Sequence, residues 1–297
     1  MKLIIIIPVY NEEKSIAKAI GSIFSSGSFI AEIRLVIVAS GCTDNTVSII
    51  KKFIFDGYPV TLIEEVERSG KANALNNLMP MLTSLEAGMY VFTDGDVCLT
   101  NKTIESIVSF FDDNPGFDVV TGHPVPMNAN LTAWGKIADE NCSIWNDVRS
   151  RMGSHGRAWP LSGYLFAVLP SCLPFHIPNN FVAEDAYIGL SLLQNGKKLG
   201  YSQSAIVNVQ FPTTISDYYS QKSRTRAGWS QLSVYSPQEY KSLIKLQRQV
   251  VTARARRGNP LSLLCWLIDR GIMLVDSILS KKTTDRHLWD SVKSTKL

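Results

Sequence analysis

In the first 120 residues, dense apolar runs at 3–9, 33–39, 60–64, 89–93 and 117–121 alternate with segments of helical period near 12–25, 44–55, 71–85 and 102–113. The runs are apolar at consecutive positions, so a strand in any of them must be covered on both faces. Strand–helix alternation with two-sided burial predicts an α/β, Rossmann-like, mostly parallel sheet between helical layers. Such a sheet binds ligands at the carboxyl ends of its strands. Asn11 is placed to cap the first helix, with Glu12 and Glu13 at its positive end, and Thr43 or Asp44 to cap the second.

Beyond residue 122 the pattern loosens. It predicts a helix at 132–152, a short strand within a Gly/Pro-marked region at 161–169, and a helix after Glu184. Strands follow near 198–201 and 205–211, and then helices at 215–233, 237–257 and 261–280. There is no internal repeat and no low-complexity tract.

Composition and charge sharpen this picture. With 297 residues, 45% apolar and only 19% charged, the chain supports a substantial core and is not a disordered one. The net charge of +4 conceals a division. Residues 1–218 carry 15 basic and 21 acidic side chains, a net of −6; residues 219–297 carry 15 basic and 5 acidic, a net of +10. An acidic body with a basic tail segment points to an anionic partner for that segment. The five cysteines, Cys42, Cys98, Cys142, Cys172 and Cys265, are odd in number and form no C-x-x-C pair. That spacing fits neither a disulfide framework nor a zinc site and points to a reducing, cytoplasmic setting. Pro8 cuts short the apolar run 3–7, which reads as a strand rather than a signal peptide. The apolar stretch 261–279 contains Asp269, Arg270 and Asp276. Three charges at ~2.5–3.5 kcal/mol each outweigh its apolar residues at ~0.3–0.6 each, so it is not expected to span a bilayer.

Four local motifs carry candidate chemistry. Asp94-Gly95-Asp96 directly follows the fourth strand. Two carboxylates flanking a glycine at a strand end suit one hard cation and a closely approaching phosphate, although Asp and Gly also serve as plain turn residues. Pro8-Val9-Tyr10-Asn11-Glu12-Glu13 follows the first strand and offers either a base and ribose site or an ordinary helix cap. Ser69-Gly70-Lys71 opens the third helix, where a lysine adds to the positive dipole end and suits a diphosphate. It is not a P-loop, since Glu65 stands at the first glycine position and Ala72 replaces Ser/Thr, and a solvated lysine is the alternative. Glu184-Asp185 precedes a helix and is either a cap or a general base.

Together these motifs resemble family 2 glycosyltransferases of GT-A fold. The segments that carry the resemblance are PVYNEE (8–13), TDNT (43–46), SGKANALN (69–76), TDGD (93–96), SGYLF (162–166) and AEDAYIG (183–189), in the family's order and covering about residues 1–230. The resemblance implies a metal-dependent, inverting transfer of a sugar from a nucleotide-diphosphate donor to a hydroxyl acceptor. It implies Asp96 as ligand of a divalent cation, Mn²⁺ or Mg²⁺, with Asp94 contacting ribose or the metal's water shell. Pro8, Val9, Tyr10, Glu12, Ser40, Lys71, Gly95 and Arg224 would line the nucleotide-sugar site. Asp185 would be the catalytic base and Glu184 a supporting acid, while Gly163, Tyr164 and Trp159 would shape the acceptor pocket. Residues 1–122 would be the nucleotide-sugar-binding half, 123–232 the acceptor half, and 233–297 a basic helical extension.

Two departures stand out. Many relatives carry an Asp-Asp pair after the second strand; here Ala39 and Ser40 occupy those positions, which leaves the donor base open. Relatives that act on lipids or build polymers carry Q-x-x-R-W, whereas this chain has Gln221-Lys222-Ser223-Arg224-Thr225 with Trp229 displaced. Gln221 and Arg224 still share a helical face and can clamp a diphosphate or acceptor.

Lys241, Lys245, Arg248, Arg254, Arg256 and Arg257 form a basic run without an acid between them, ahead of a helix with a narrow polar stripe at Ser262, Asp269 and Asp276, beside Arg270 and Ser277. The run lacks the aromatic interleaving of a nucleic-acid reader. Two readings compete for 241–280: packing on the catalytic domain, or peripheral attachment to an anionic membrane surface, at its inner face, with a lipid or lipid-linked acceptor. A soluble enzyme acting on a saccharide, a nucleotidyltransferase and an inactive sugar-nucleotide-binding scaffold are the alternatives.

Overall fold

In the computed structural model, which describes residues 1–27, 31–129 and 132–279, the opening isoleucine run forms β1 (Lys2–Val9) in the interior of an eight-stranded sheet. β2 (Glu32–Ser40) and β4 (Met89–Thr93) flank it in parallel, and β3 (Val60–Glu65) pairs in parallel beyond β2. β7 (Leu165–Val168) joins β4 antiparallel, and β6 (Val119–Pro126), β8 (Leu199–Val209) and β5 (Val97–Leu99) complete the order β3-β2-β1-β4-β7-β6-β8-β5. Four of the seven pairings are parallel.

The unbroken apolar run of β1 follows from this burial. Leu3, Ile5, Ile7 and Val9 pack under α1 (Ile16–Gly27), α2 (Thr46–Phe55) and α4 (Thr103–Asp113). Ile4 and Ile6 pack on the other face, under α3 (Lys71–Ser84) and α6 (Glu184–Gln194). Each such side chain contributes about 1.5–3 kcal/mol on leaving water.

Several expected boundaries move. The first helix begins at Ile16, not at residue 12, because residues 11–13 are tied sideways to residues 43–46 after β2. Asn11 does not cap it: with φ of 52°, its Oδ1 accepts from the Thr43 amide at 2.8 Å and its Nδ2 donates to Thr43 Oγ1 at 3.1 Å. Asn45 stands at the cap position of α2, while Asp44 Oδ1 accepts from the Thr46 amide at 2.9 Å. β6 runs on to Pro126, across residue 122, and the strands expected at 198–201 and 205–211 are one strand. A register shift between Thr121 and His123 marks where its pattern broke. β5 was not foreseen, being too short to show a period.

A third core cluster joins α5 (Ala133–Gly153), α7 (Ile215–Tyr235), α8 (Pro237–Arg256) and α9 (Leu261–Leu279) through Ile144, Val148, Leu232, Val250 and Cys265. Its polar centre is Glu140 of α5. The Glu140 carboxylate accepts from Arg254 Nε at 2.7 Å and Nη2 at 3.0 Å, from Asn259 Nδ2 at 2.8 Å, and from Ser262 Oγ. Arg254, read from sequence as part of a basic run, is thus turned inward and also holds Asp147 at 2.7 Å. Asp269 likewise faces in, accepting from Tyr218 Oη and Lys222 Nζ at 2.9 Å each and from Asn141. Ser262 and Asp269 of the expected polar stripe therefore face the protein. The side chains of Asp276 and Ser277, and residues 280–297 of the expected extension, lie outside the described residues. No helix of the described residues is long and apolar enough to cross a membrane.

Candidate functional site

Because β1, β2 and β4 run in parallel, their carboxyl ends share one edge of the sheet. β7 runs the other way, so its start lies at that same edge, with Leu165 opposite Thr93. The segments after β1, β2 and β4 and the segment before β7 therefore converge on one cleft of about 430 Å³. Pro8, Val9, Tyr10, Glu12, Ser40, Lys71, Asp94, Gly95 and Asp96 line one side of it. Gly163, Tyr164, Glu184, Asp185, Gln221, Arg224 and Trp229 line the other. Side-chain packing requires the glycine of the Asp-Gly-Asp triplet: a Cβ at Gly95 would stand 2.7 Å from Val9 Cγ1 and 3.2 Å from Glu12 Cγ.

Four acidic side chains meet around one lysine. Lys71 Nζ donates to Asp94 Oδ1 at 2.7 Å and lies 2.8 Å from Glu184 Oε1, so it joins the end of β4 to the start of α6. Burial alone would lower its pKa, but Asp94 and Glu184 outweigh that and hold the ammonium charged. Asp96 is pushed up to about 6 by burial and by the charge of Asp94, against the pull of Arg224 and Lys71. Asp185 is also pushed up to about 6, first by burial and then by Glu184, while Lys71, the Ala186 amide and Arg149 act the other way. Its carboxylate is held from both sides: Oδ2 accepts from the Gly163 amide and Oδ1 from the Ala186 amide, each at 2.8 Å. Among the described residues, no three His, Cys, Asp or Glu side chains gather as a metal-ligand set.

Tyr10 and Ser40 are placed by the loop between β3 and α3, where Arg68 is the member that sequence reading missed. Arg68 lies 3.7 Å above the Tyr10 ring centroid. The Ser69 amide donates to Ser40 Oγ at 3.0 Å, and Ser69 Oγ donates to Glu65 Oε2 at 2.6 Å. Glu65, noted as a departure from a P-loop, is thus a strut of this loop, with its carboxyl held below the usual range by hydrogen bonds that outweigh its burial. Gly41, after the Ala39-Ser40 pair, has φ of +64° and lies so close to the Arg68 backbone that a side chain is excluded.

Trp159 is the one expected site residue that does not line the cleft. It is 1% exposed, its Nε1 donates to Ala186 O at 2.7 Å, and its edge meets the ring of Trp229. A ring so enclosed offers no face to a sugar; it supports Trp229 and the start of α6 instead. Trp229, displaced in sequence, reaches the cleft from α7 and stacks on Trp145 with ring centroids 5.4 Å apart and planes 10° from parallel.

Sequence reading missed the contribution of α5. Asn141, Cys142, Trp145 and Arg149 line the cleft from that helix, where the i, i+4, i+8 spacing of Asn141, Trp145 and Arg149 gives them a shared face without marking it as a cleft wall. Arg149 is 8% exposed, donates through Nε to Pro160 O at 2.8 Å, and adds positive potential at Asp185. Ser162, next to Gly163, is 1% exposed and its hydroxyl has no hydrogen-bond partner among the described residues. A buried hydroxyl without a partner in a cleft wall is a group awaiting a ligand or water.

Comparison with known proteins agrees with this geometry. A family model described as Glycosyl transferase family 2 matches residues 4–166, and one described as Glycosyl transferase family group 2 matches 91–279. No curated protein sequence matches the chain. Among solved structures, the mannosyltransferase PcManGT from Pyrobaculum calidifontis, in complex with GDP-Man and Mn²⁺, is similar with a TM-score of 0.68 at 18% identity, over 93% of this chain and 86% of that one. S. aureus TarS 1–349 in complex with UDP-GlcNAc gives 0.53 at 17% identity, over 93% and 79%. In a further S. aureus TarS structure, with a TM-score of 0.53 at 17% identity, the match takes in 77% of this chain but only 40% of that one. At such identities the likeness is one of fold.

Proposed function

This chain belongs to glycosyl transferase family 2 and is a glycosyltransferase, and we propose that it moves a sugar from a nucleoside-diphosphate donor to a hydroxyl acceptor with inversion at the anomeric carbon. The observation that carries the proposal is Asp185. Two backbone amides fix its carboxylate in the cleft wall, and burial together with Glu184 raises its pKa to about 6. A carboxylate so poised is ionised at neutral pH yet basic enough to take a proton from an attacking hydroxyl. The new bond joins that oxygen to the anomeric carbon as the bond to the nucleoside diphosphate breaks on the opposite face.

The donor side is read as Tyr10 and Ser40 toward the nucleoside and Lys71 and Arg224 toward the diphosphate. Asp94 and Asp96 fit a hard divalent cation. They are oxygen donors flanking a glycine, and Asp96 titrates high first because its carboxyl is shielded from water and then because the charge of Asp94 lies beside it. With only two such groups gathered, the remaining ligands would come from the donor and water. When bound by Asp96 and Asp94, Mn²⁺ or Mg²⁺ supplies Lewis-acid stabilisation to the leaving diphosphate. On the acceptor side, Gly163, Tyr164, Gln221 and the Trp145–Trp229 pair would receive a lipid, a lipid-linked glycan or a saccharide. A lipid-borne acceptor would bring the enzyme to the inner face of the cell membrane.

Asp185→Asn tests the reading. Transfer should fall by at least 100-fold while nucleotide-sugars screened with Mn²⁺ still raise the thermal midpoint as for the wild type. Near-normal turnover by that variant would overturn the base assignment.

A further inference from the structure

The C-terminal helix is apolar on its outer as well as its inner side: Leu261, Cys265, Ile268 and Ile272 pack into the third core cluster, yet large apolar side chains also face outward. Ser262, Cys265 and Asp269 of α9 face the protein, where Ser262 and Asp269 meet Glu140, Tyr218 and Lys222 and Cys265 Sγ meets Ile137 O. The opposite face carries Leu263, Leu264, Leu267 and Val275, which are 47%, 49%, 52% and 44% exposed. A helix at a protein surface normally turns its apolar stripe inward. Beside this face runs a groove between α8 and α9, about 720 Å³ in volume, with Lys241, Lys245, Arg248, Arg256 and Arg270 in its walls and no acid among its lining residues. Trp266 links the two features. Its ring has the Arg270 guanidinium at 5.3 Å and that of Arg248 at 6.0 Å from its centroid.

We propose that this face docks on an anionic lipid membrane, with the α9 leucines at the acyl boundary and the groove cations among the headgroups. Charge complementarity selects the partner. Anionic headgroups match five cations without an acid, and acyl chains match the leucines, which a nucleic acid would leave in water. Lys222, Tyr218 and Asn141 line the cleft and hold the inner face of α9. Docking would therefore bring the acceptor side of the cleft within one helix diameter, roughly 10 Å, of the lipid. The inference goes beyond the proposed reaction and does not depend on it.

The test is flotation of the full chain with vesicles of phosphatidylcholine alone and of phosphatidylcholine with phosphatidylglycerol, at low and high salt. Binding is expected only with the anionic vesicles, and weaker at high salt as the Debye length shrinks. Lys245→Gln with Arg248→Gln should weaken it about 25-fold, near five-fold per charge. Leu264→Gln with Leu267→Gln should also weaken it, with wild-type salt dependence retained. These positions are exposed and outside the cleft, so unfolding midpoints and donor binding should match the wild type, which separates failure of docking from failure of the proposed reaction. Absence of binding to anionic vesicles at low salt overturns the proposal. So does binding that ignores the leucine pair and is displaced by RNA, the mark of a nucleic-acid surface. A concentration-dependent dimer that does not float overturns it too, in favour of self-association.

Discussion

Replacing Gly163 by alanine tests whether the position of Asp185, and not merely its presence, supports transfer. A Cβ at residue 163 lies 3.0 Å from Asp185 Oδ2 and 3.4 Å from its Cγ. Comfortable heavy-atom contact begins near 3.4–3.5 Å, so the carboxylate or the loop must yield by about 0.4 Å. The carboxylate has little slack, since its two oxygens are pinned at 2.8 Å by the amides of Gly163 and Ala186. A misplacement of 1 Å at a reacting group costs on the order of 100-fold, and scaling the logarithm with distance gives a loss of roughly 5- to 10-fold in kcat. That is about 1 kcal/mol of transition-state stabilisation. Gly163 is not in the left-handed region, so alanine brings no backbone strain, and the unfolding midpoint should stay within about 2 °C of wild type. Steady-state kinetics over a range of donor concentrations is the assay. The donor KM should remain within about twofold, because Lys71, Asp94 and Asp96 are untouched. Wild-type kcat, or a loss confined to the donor KM, would refute the reasoning.

The remaining predictions concern the charges around the cleft and beneath it. Asp185 acts as a base only when ionised, so with its carboxyl raised to about 6 the profile of kcat/KM should fall about tenfold per unit below that pH and level off above it; a profile flat down to pH 4.5 would exclude it as the titrating group. Lys71→Met removes the cation between Asp94 and Glu184, and titration calorimetry should show donor affinity reduced at least tenfold, with Lys71→Arg restoring it only in part. Glu140→Ala leaves Arg254 paired with Asp147 but removes the acceptor of Asn259 and Ser262 as well as one carboxylate of Arg254, and should cost about 1–3 kcal/mol in denaturant unfolding. Glu140 titrates below its ordinary value in the fold, because hydrogen bonds from Arg254, Ser262 and Asn259 outweigh its burial. Its contribution is therefore present above the unfolded value near 4.3 and is lost as pH falls through the folded one, so wild type and variant should converge in acid.

The wall of the cleft formed after β1, β2 and β4 was legible in the sequence because local signals and global position coincide there. An unbroken apolar run such as residues 3–7, cut off by Pro8, reads as a strand buried on both faces, and the residues after such strands are where this architecture puts its ligands. Asp94, Asp96 and Lys71 could be found that way. The opposite wall was less legible, since its members come from α5 and α7 and meet only through tertiary packing. Arg149 and Asn141 are polar residues in a helix of ordinary composition, and nothing within α5 announces that they line a cleft. Trp159 shows the converse error. The family resemblance implied an acceptor role for Trp159, but aromatic rings are also the largest fillers of a core, and here burial prevailed. Asn11 went astray for a similar reason: a side chain able to cap a helix bridged to Thr43 instead.

The basic segment illustrates how a fold redistributes a charge that composition only counts. The +10 of residues 219–297 reads as one feature in sequence, yet eight of its basic members among the described residues divide among three tasks. Arg224 faces the acidic cleft, where its charge opposes the upward shift of Asp96. Lys222 and Arg254 are turned inward as fasteners, one to Asp269 and the other to Glu140 and Asp147. Lys241, Lys245, Arg248, Arg256 and Arg270 remain at the outer groove. The division follows from energetics. A buried carboxylate such as Glu140 must be paired, whereas cations at an open groove retain water and lose little by having no partner. Those outer cations are the ones left available to a partner. The inward pairs tie α8 to α5 and α9 to α7, so the C-terminal helices are packed directly on the two helices that supply Trp145 and Trp229 to the cleft.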